Sequence, residues 1–140
     1  MGDEIRRQEL VAEFVIRAHS QQVYRGMGIR PDEPYFWHLF RVAAIVPFEY
    51  RVVALLHDYL EDIGDDLPTF LLSDERDDIA MLTRDKVKED YYFYIWRIKE
   101  RGSLRARAVK LADLHDNMSN LPANHPLARR YRGAIEILTL

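Results

Sequence analysis

The first chemical signal is the segment VVALLHDYLED at residues 52–62, where a His-Asp pair follows an apolar run and a Glu-Asp pair comes one helical turn later. Residues three and four apart share one face of a helix, so His57 would neighbour Glu61, and Asp58 would neighbour both Glu61 and Asp62. The apolar run is typical of a helix that is buried on several sides. Ionised carboxylates are costly in such surroundings unless they are paired or bound to metal. The segment therefore predicts a face that binds a cation.

Two further segments can supply ligands to the same cation. His38 lies in PYFWHLFRVAAIV, and Asp113 lies in VKLADLHDNMSN, where Asn117 follows one turn later and Lys110 precedes by one turn. Two imidazole nitrogens and two carboxylate oxygens suit Mn, Fe, Co, Zn or Mg better than a thiophilic metal. With positions left for water, such a metal ion lowers the pKa of bound water or polarises a phosphoryl oxygen. The predicted metal ligands are therefore His38, His57, Asp58 and Asp113.

Each of these residues also has a purely structural interpretation. A single histidine such as His38 is more often a hydrogen-bonded core residue than a ligand, and an adjacent His-Asp pair is common by chance. Glu61 and Asp62 are compatible with a solvated helix face, and Asp113 with Asn117 is compatible with a helix-end cap. The joint order, an isolated His, then His-Asp, then an Asp in another apolar helix, favours the metal site over these alternatives.

The elements that must position these side chains are all predicted to be helices. Apolar residues recur at intervals of three and four, no stretch alternates convincingly at period two, and RGMGIRPDEP at residues 25–34 reads as a loop. Pro47, Gly64 and Gly102 are predicted to end helices, and Ser103 to cap the next one. We predict an all-α bundle in a single domain over residues 1–140, with helices near residues 3–20, 35–46, 48–63, within 65–78, 88–101, 104–120 and 126–138.

The composition limits the class of protein. A length of 140 residues with 48% hydrophobic residues is enough for one real core. A formal net charge of −3 argues against nucleic acid as a partner, because no basic excess neutralises phosphates. There is no cysteine, the N-terminus MGDEIRRQEL is too charged for a signal peptide, and no apolar run reaches the roughly 20 residues that span a bilayer. We expect a cytoplasmic protein that binds neither nucleic acid nor membranes.

A second group of candidates lies in the aromatic segment DYYFYIWRI. In one interpretation, Tyr91, Ile95 and Ile98 form the core face of a helix. In the other, Tyr94 and Arg97 project toward a pocket, where an aromatic ring and a guanidinium could hold the base and phosphate of a nucleotide. Exposed aromatic residues of the same helix could instead serve a homodimer interface.

Two basic segments have similarly divided interpretations. Lys110 could neutralise a substrate phosphate, or it could be a surface lysine whose stem lies along apolar neighbours. The segment HPLARRYRGAIEIL reads as the solvated face of an amphipathic helix, or as a segment whose Arg130 and Tyr131 close over a substrate cleft.

The order H…HD…D is the signature of the HD superfamily of metal-dependent phosphohydrolases. Here PYFWHLFRVA, VVALLHDYLED and AVKLADLHDNMSN resemble the hydrolase domain of RelA/SpoT-type alarmone enzymes, whose typical forms are PYxxHPxxVA, AALLHDxxED and VKLADxxxN. AHSQQVYR resembles the N-terminal HxxQ segment of that family, and LTRDKVKEDYYFYIWRI is similar to a stretch of short stand-alone HD proteins. The resemblance spans about residues 15–120 and implies an HD-domain helical bundle. It departs from the family at Leu39, which replaces a proline, and at Tyr24, which replaces a commonly basic residue.

The resemblance implies a role for each matching residue. The four predicted ligands would hold a divalent metal ion, typically Mn²⁺, with Fe, Co, Zn, Mg or Ni as alternatives. Glu61 and Asp62 would be the catalytic acidic pair, one of which orients or activates the attacking water. Asn117 would lie beside the substrate or the water, and Arg25 would contact substrate phosphates or base.

The implied reaction is hydrolysis of the 3′-diphosphate of guanosine tetra- or pentaphosphate, which yields GDP or GTP and pyrophosphate. No synthetase domain fits in this length, so an alarmone activity would be degradative. One alternative is a phosphatase or pyrophosphohydrolase that acts on another nucleotide with the same metal. The other is a catalytically silent module that binds metal and nucleotide, against which the acidic pair Glu61 and Asp62 argues.

Overall fold

The computed structural model describes residues 2–24 and 32–140, and over them the fold is a bundle of α-helices, as predicted. None of these helices combines the length and apolarity that crossing a bilayer requires. The elements in chain order are α1 (Gly2–Ala18), β1 (Val23–Tyr24), β2 (Glu33–Pro34), α2 (Phe36–Ile45), a 3₁₀ turn (Phe48–Tyr50), α3 (Arg51–Leu56), α4 (Tyr59–Asp62), α5 (Ser73–Met81), α6 (Tyr91–Arg101), α7 (Leu104–Ser119) and α8 (Pro126–Leu138).

Helix α3 lies at the centre of the hydrophobic core. Its residues 52–56 are all buried, and α1, α2, α5 and α7 pack around it. Helix α8 packs against α6 and α7 on another side of the bundle. A helix that is surrounded in this way must be apolar on every face, which explains the uninterrupted run VVALL.

The prediction of one helix over residues 48–63 is wrong in one respect, because the helical segment is not continuous. It opens as a 3₁₀ turn, α3 ends at Leu56, and the chain becomes helical again only at α4. The Ala54 carbonyl oxygen accepts the backbone N–H of His57 at 3.5 Å and lies 2.6 Å from its ring Nδ1. Consecutive side chains of a regular helix diverge by about 100°. The turn allows His57 and Asp58 to reach one point.

A short antiparallel ribbon, which the sequence did not predict, precedes α2. Val23 pairs with Pro34, and Tyr24 pairs with Glu33. Two residues per strand are too few to show a period of two, so hydrophobic periodicity could not reveal the ribbon. It holds Tyr24 beside the first turn of α2.

The junction between α6 and α7 follows the predicted signals. Helix α6 ends before Gly102, where an added Cβ would lie 2.5 Å from the carbonyl oxygen of Ile98. The hydroxyl of Ser103 accepts the backbone N–H of Ala106 at 3.0 Å and so caps α7. This junction sets the start of the helix that carries Asp113.

Candidate metal centre and cleft

Four side chains from three parts of the bundle meet in one cluster. We call His38, His57, Asp58 and Asp113 the His-Asp cluster; one ligand atom from each lies within 4.8 Å of all the others. Oδ1 of Asp113 is 2.9 Å from Nε2 of His38 and 3.2 Å from Nε2 of His57. Oδ2 of Asp58 is 3.1 Å from Nε2 of His57. The structure therefore brings together all four residues that the sequence predicted as ligands.

Both imidazoles of the cluster are oriented through their Nδ1 atoms. Nδ1 of His57 is 2.6 Å from the Ala54 carbonyl oxygen, and Nδ1 of His38 is 2.7 Å from Oδ2 of Asp116. A carbonyl oxygen and a carboxylate oxygen can only accept, so each Nδ1 carries a proton and donates. In the neutral imidazole the lone pair then lies on Nε2, the atom that faces the cluster. Metal-binding histidines in proteins are held in this way.

Neighbouring charges stabilise the charged forms of Asp113 and His57. Burial alone would raise the pKa of Asp113, but Lys110 and His57 hold it well below its ordinary value. Likewise, burial would lower the pKa of His57, but Asp58 and Asp113 raise it well above 6.5. Two carboxylates buried against two imidazoles require positive charge, either as protons on the histidines or as a metal ion. The nitrogen and oxygen donors and the oriented Nε2 atoms fit a divalent metal ion, and the cluster is able to bind one.

Two tyrosines and an asparagine support the cluster. The hydroxyl of Tyr35 donates to Oδ2 of Asp58. The ring of Tyr24 stacks on His38, with 5.1 Å between ring centroids and an interplanar angle of 7°. The Tyr24 hydroxyl donates to Oδ1 of Asn117 at 2.9 Å, and Nδ2 of Asn117 donates to Oδ1 of Asp113 at 3.3 Å. Asn117 therefore lies against the cluster, and its predicted place beside substrate or water stays a prediction.

The predicted acidic pair lies next to the cluster. Oε1 of Glu61 accepts the backbone N–H of Arg84 at 2.6 Å, and Oδ2 of Asp62 accepts Nε2 of Gln22 at 3.1 Å. Partial burial raises the pKa of Glu61, and the charge of Asp58 raises it further, although the Arg84 N–H opposes the shift. A carboxylate with a raised pKa is a better proton acceptor near neutral pH.

Three members of the cluster, His38, Asp58 and Asp113, line one cleft of about 440 Å³ together with the acidic pair. Its walls carry two chemical types of side chain, cationic groups, which pair with anions such as phosphate, and aromatic rings. The cationic residues are Arg84, Lys86, Lys110 and Arg130, and the aromatic residues are Tyr24, Tyr35, Tyr91 and Tyr131.

Helix α6 presents a different aromatic residue to the cleft than the sequence suggested. Tyr94 is 2% exposed, and its hydroxyl donates to the carbonyl oxygen of Leu82 at 2.7 Å. Arg97 binds both carboxylate oxygens of Glu89, at 2.7 and 2.9 Å, and also donates to backbone carbonyls. Neither Tyr94 nor Arg97 lines the cleft, whereas Tyr91 does. Helical periodicity could not decide which aromatic residues pack inward, because residues 91–96, the first six of this helix, are all aromatic or aliphatic.

Of the other residues that were predicted to bind substrate or close the cleft, some line the cleft and one lies outside the described residues. Lys110 lines the cleft, and its Nζ donates to Oδ2 of Asp113 at 2.9 Å. Arg130 and Tyr131 also line it, and closure of their segment over the cleft stays a prediction. Arg25 lies outside the described residues.

The sequence reasoning missed Asp116 and Arg84. Asp116 follows Asp113 by three residues, so the spacing of one helical turn was a signal that could have revealed it. Its carboxylate also accepts Nε of Arg41 at 2.7 Å. Arg84 reaches the site through a loop, and no local spacing could have predicted that contact.

An all-α bundle with an H…HD…D cluster is the HD type of fold. No family model matches this chain, and no curated protein matches it in sequence. The fold is shared with a solved structure described as a metazoan ortholog of SpoT that hydrolyzes ppGpp and plays a role in starvation responses. The TM-score is 0.73, the sequence identity is 22%, and the match covers 94% of this chain and 82% of that one. This likeness establishes the fold.

Proposed function

We propose that this chain is a metal-dependent phosphohydrolase that acts on a nucleotide phosphate, with guanosine tetra- or pentaphosphate as the first candidate substrate. The observation that carries the proposal is one cleft in which the His-Asp cluster, the acidic pair and four cationic side chains meet. The shared fold with a ppGpp hydrolase supports the choice of substrate. The reaction would be a 3′-pyrophosphohydrolysis.

The metal ion would be held by His38, His57, Asp58 and Asp113. Mn²⁺ is the first candidate among the divalent ions that favour such ligands. When bound, a divalent cation lowers the pKa of water and polarises a phosphoryl oxygen. The rest of the chemistry belongs to residues of the chain.

The acidic pair would act as the general base that removes a proton from the attacking water. A general base must lie within hydrogen-bond reach of the proton it removes. Glu61 and Asp62 lie on the turn of helix that follows Asp58, and both line the cleft. One carboxylate accepts the proton while the other orients the water. Intact carboxylates at both positions favour catalysis over the alternative of a silent binding module.

The cationic walls would hold the substrate. Lys110 is the nearest to the cluster, because it already donates to Asp113. A phosphate beside it would gain a charge-assisted hydrogen bond from an ammonium group that the fold holds in place. Asn117 is anchored on both Asp113 and Tyr24, so its amide can fix the position of the substrate or of the water.

The test is hydrolysis of guanosine tetraphosphate by protein stripped of metal, with and without Mn²⁺, with products separated by anion exchange. We expect GDP and pyrophosphate only with Mn²⁺. Asp58→Ala should abolish the reaction, whereas Asp65→Ala, which removes an exposed carboxylate nearby, should not. Turnover of another nucleotide in place of this one would keep the hydrolase and reject the alarmone. Nucleotide-stabilised melting without turnover would favour the binding module.

A further inference from the structure

A second cavity lies between α1 and α2, apart from the metal cleft. Both helices pack on α3, and the gap that separates them has a volume of about 480 Å³. Helix α1 faces it with residues 5, 8, 9 and 12, which share one face of a helix. Small-molecule sites typically have volumes of about 300 to 1,000 Å³ and are mostly apolar with a few polar groups. The apolar residues that line this cavity include Ile5, Ala12, Phe40, Ala44, Phe48 and Leu55.

The apolar surface of the cavity continues along α2. The ring of Phe40 contacts the rings of Phe36 and Trp37, with 5.9 Å between ring centroids in each pair. Ile5 is 43% exposed and Trp37 is 50% exposed. Contiguous apolar side chains that are open to water mark a surface for an apolar ligand or partner. An alkyl chain in the cavity would cover Ile5 and contact Phe40.

Arg51 supplies the cavity with a cationic group. Among residues 2–24 and 32–140, its buried Nε lacks a hydrogen-bond partner, and no carboxylate forms an ion pair with its guanidinium. The guanidinium carbon lies 5.5 Å from the ring centroid of Phe48, which also lines the cavity. A buried donor without an acceptor is destabilising, so such a group requires an explanation. A carboxylate would satisfy both the donor and the charge.

The other polar residues of the cavity are engaged by the fold. Nε2 of Gln8 donates to the carbonyl oxygen of Phe48 at 2.7 Å. The carboxylate of Glu9 pairs with Arg6 at 3.2 Å, so a neighbouring cation offsets its charge. Arg51 is therefore the polar group that the lining leaves for a ligand. Such a ligand combines an anionic head with an apolar chain.

We propose that this cavity binds an aliphatic carboxylate of the fatty-acid class, with the carboxylate on Arg51 and the alkyl chain against Phe40, Ala44 and Leu55. A guanidinium and a carboxylate form charge-assisted hydrogen bonds, which fix the head of the ligand. Burial of the methylene groups supplies the rest of the affinity. The inference is independent of the proposed function, since no described residue lines both this cavity and the metal cleft.

The test is titration of octanoate into the intact chain in EDTA, followed by isothermal titration calorimetry. 1-Octanol, which has the same alkyl chain without the charge, is titrated in parallel and should bind more weakly. Arg51→Gln should weaken the binding of octanoate by about tenfold or more and leave that of 1-octanol unchanged, because it removes only the charge-assisted contact. Arg17→Gln is the matched control, since it removes the same charge from an exposed residue of α1 outside the cavity.

A second pair of variants tests the position of the alkyl chain. Ala44 is exposed on the wall of the cavity, so the ring of Ala44→Phe can fill the space without disturbing the core. This variant should lose binding of both compounds, whereas Ala80→Phe, at an exposed alanine of α5, should keep it.

Absence of octanoate binding in the wild type would overturn the proposal. Equal affinity for octanoate in wild type and Arg51→Gln, or equal losses in Arg17→Gln and Arg51→Gln, would overturn the role of Arg51 and with it the carboxylate. Octanoate binding that persists in Ala44→Phe would place the ligand elsewhere on the molecule and overturn the site.

Discussion

At the scale of single residues, the His-Asp cluster depends on groups that do not belong to it. His38 is oriented by Asp116, and Asp116 is held in turn by Arg41. His57 is oriented by the carbonyl of Ala54, which no side-chain substitution removes. The imidazole of His38 is therefore the one whose orientation can be changed without altering a ligand.

We expect Asp116→Ala to weaken Mn²⁺ binding by about 10- to 100-fold, because partners that orient a ligand have effects of that size. Equilibrium dialysis with metal analysis would measure it. Arg41→Gln is the control, since it leaves the carboxylate in place and should weaken binding much less. If Arg41→Gln reduced the affinity as much, the effect of Asp116 would come from its ion pair and not from His38.

Substitutions in the acidic pair should change turnover without changing metal binding. Glu61→Gln and Asp62→Asn should leave Mn²⁺ bound but reduce kcat, and the variant that lacks the general base should lose about 10²- to 10⁴-fold. Dialysis and single-turnover kinetics on the same preparations would separate the two effects. Wild-type turnover in both variants would show that the pair is not catalytic.

At the scale of secondary-structure elements, ion pairs connect helices that are distant in sequence. Nη1 and Nη2 of Arg7 in α1 donate to the two carboxylate oxygens of Glu75 in α5, at 2.9 and 2.7 Å. Glu75 is 2% exposed and also accepts the backbone N–H of Leu72. Burial alone would raise the pKa of Glu75, but Arg7 and the Leu72 N–H lower it below 4.5.

Glu75→Gln should therefore reduce the free energy of unfolding by about 2 kcal/mol near neutral pH. Because the folded-state pKa of Glu75 is lowered, its contribution is present above the unfolded-state value and is lost as the pH falls through the folded-state value. The difference between wild type and variant should shrink below about pH 4.5 in urea titrations. The exposed pair of Arg6 and Glu9 is the comparison, and Glu9→Gln should change stability by less than about 1 kcal/mol. A constant difference at all pH values would contradict the assignment.

At the scale of the whole molecule, the cluster joins three distant segments of the chain. His38 comes from α2, His57 and Asp58 from the turn after α3, and Asp113 from α7. A metal ion that binds only when these segments are assembled stabilises the folded state by mass action. Mn²⁺ at 100 times its Kd should add about 2.7 kcal/mol, visible as a rise in Tm that Asp58→Ala lacks. An equal rise in that variant would place the binding elsewhere.

The sequence by itself determined the helical class and the four residues of the cluster. Both signals are local: helical spacing repeats every three to four residues, and the polar residues of VVALLHDYLED and VKLADLHDNMSN stand out against apolar neighbours. The caps at Ser103 and Gly102 are local for the same reason. That these residues bind metal and catalyse hydrolysis stays a prediction.

Only the tertiary structure decided which residues form the walls of the cleft. Arg84 and Tyr91 reach the site because α6 and its preceding loop pack near α8. Tyr94 is instead buried in the core, where its hydroxyl donates to Leu82, and Arg97 binds Glu89. At the break between α3 and α4, Nδ1 of His57 lies 2.6 Å from the carbonyl oxygen of Ala54, a local contact that hydrophobic spacing does not reveal. The composition of the cleft wall depends on contacts between residues far apart in sequence, and local spacing carries no information about them.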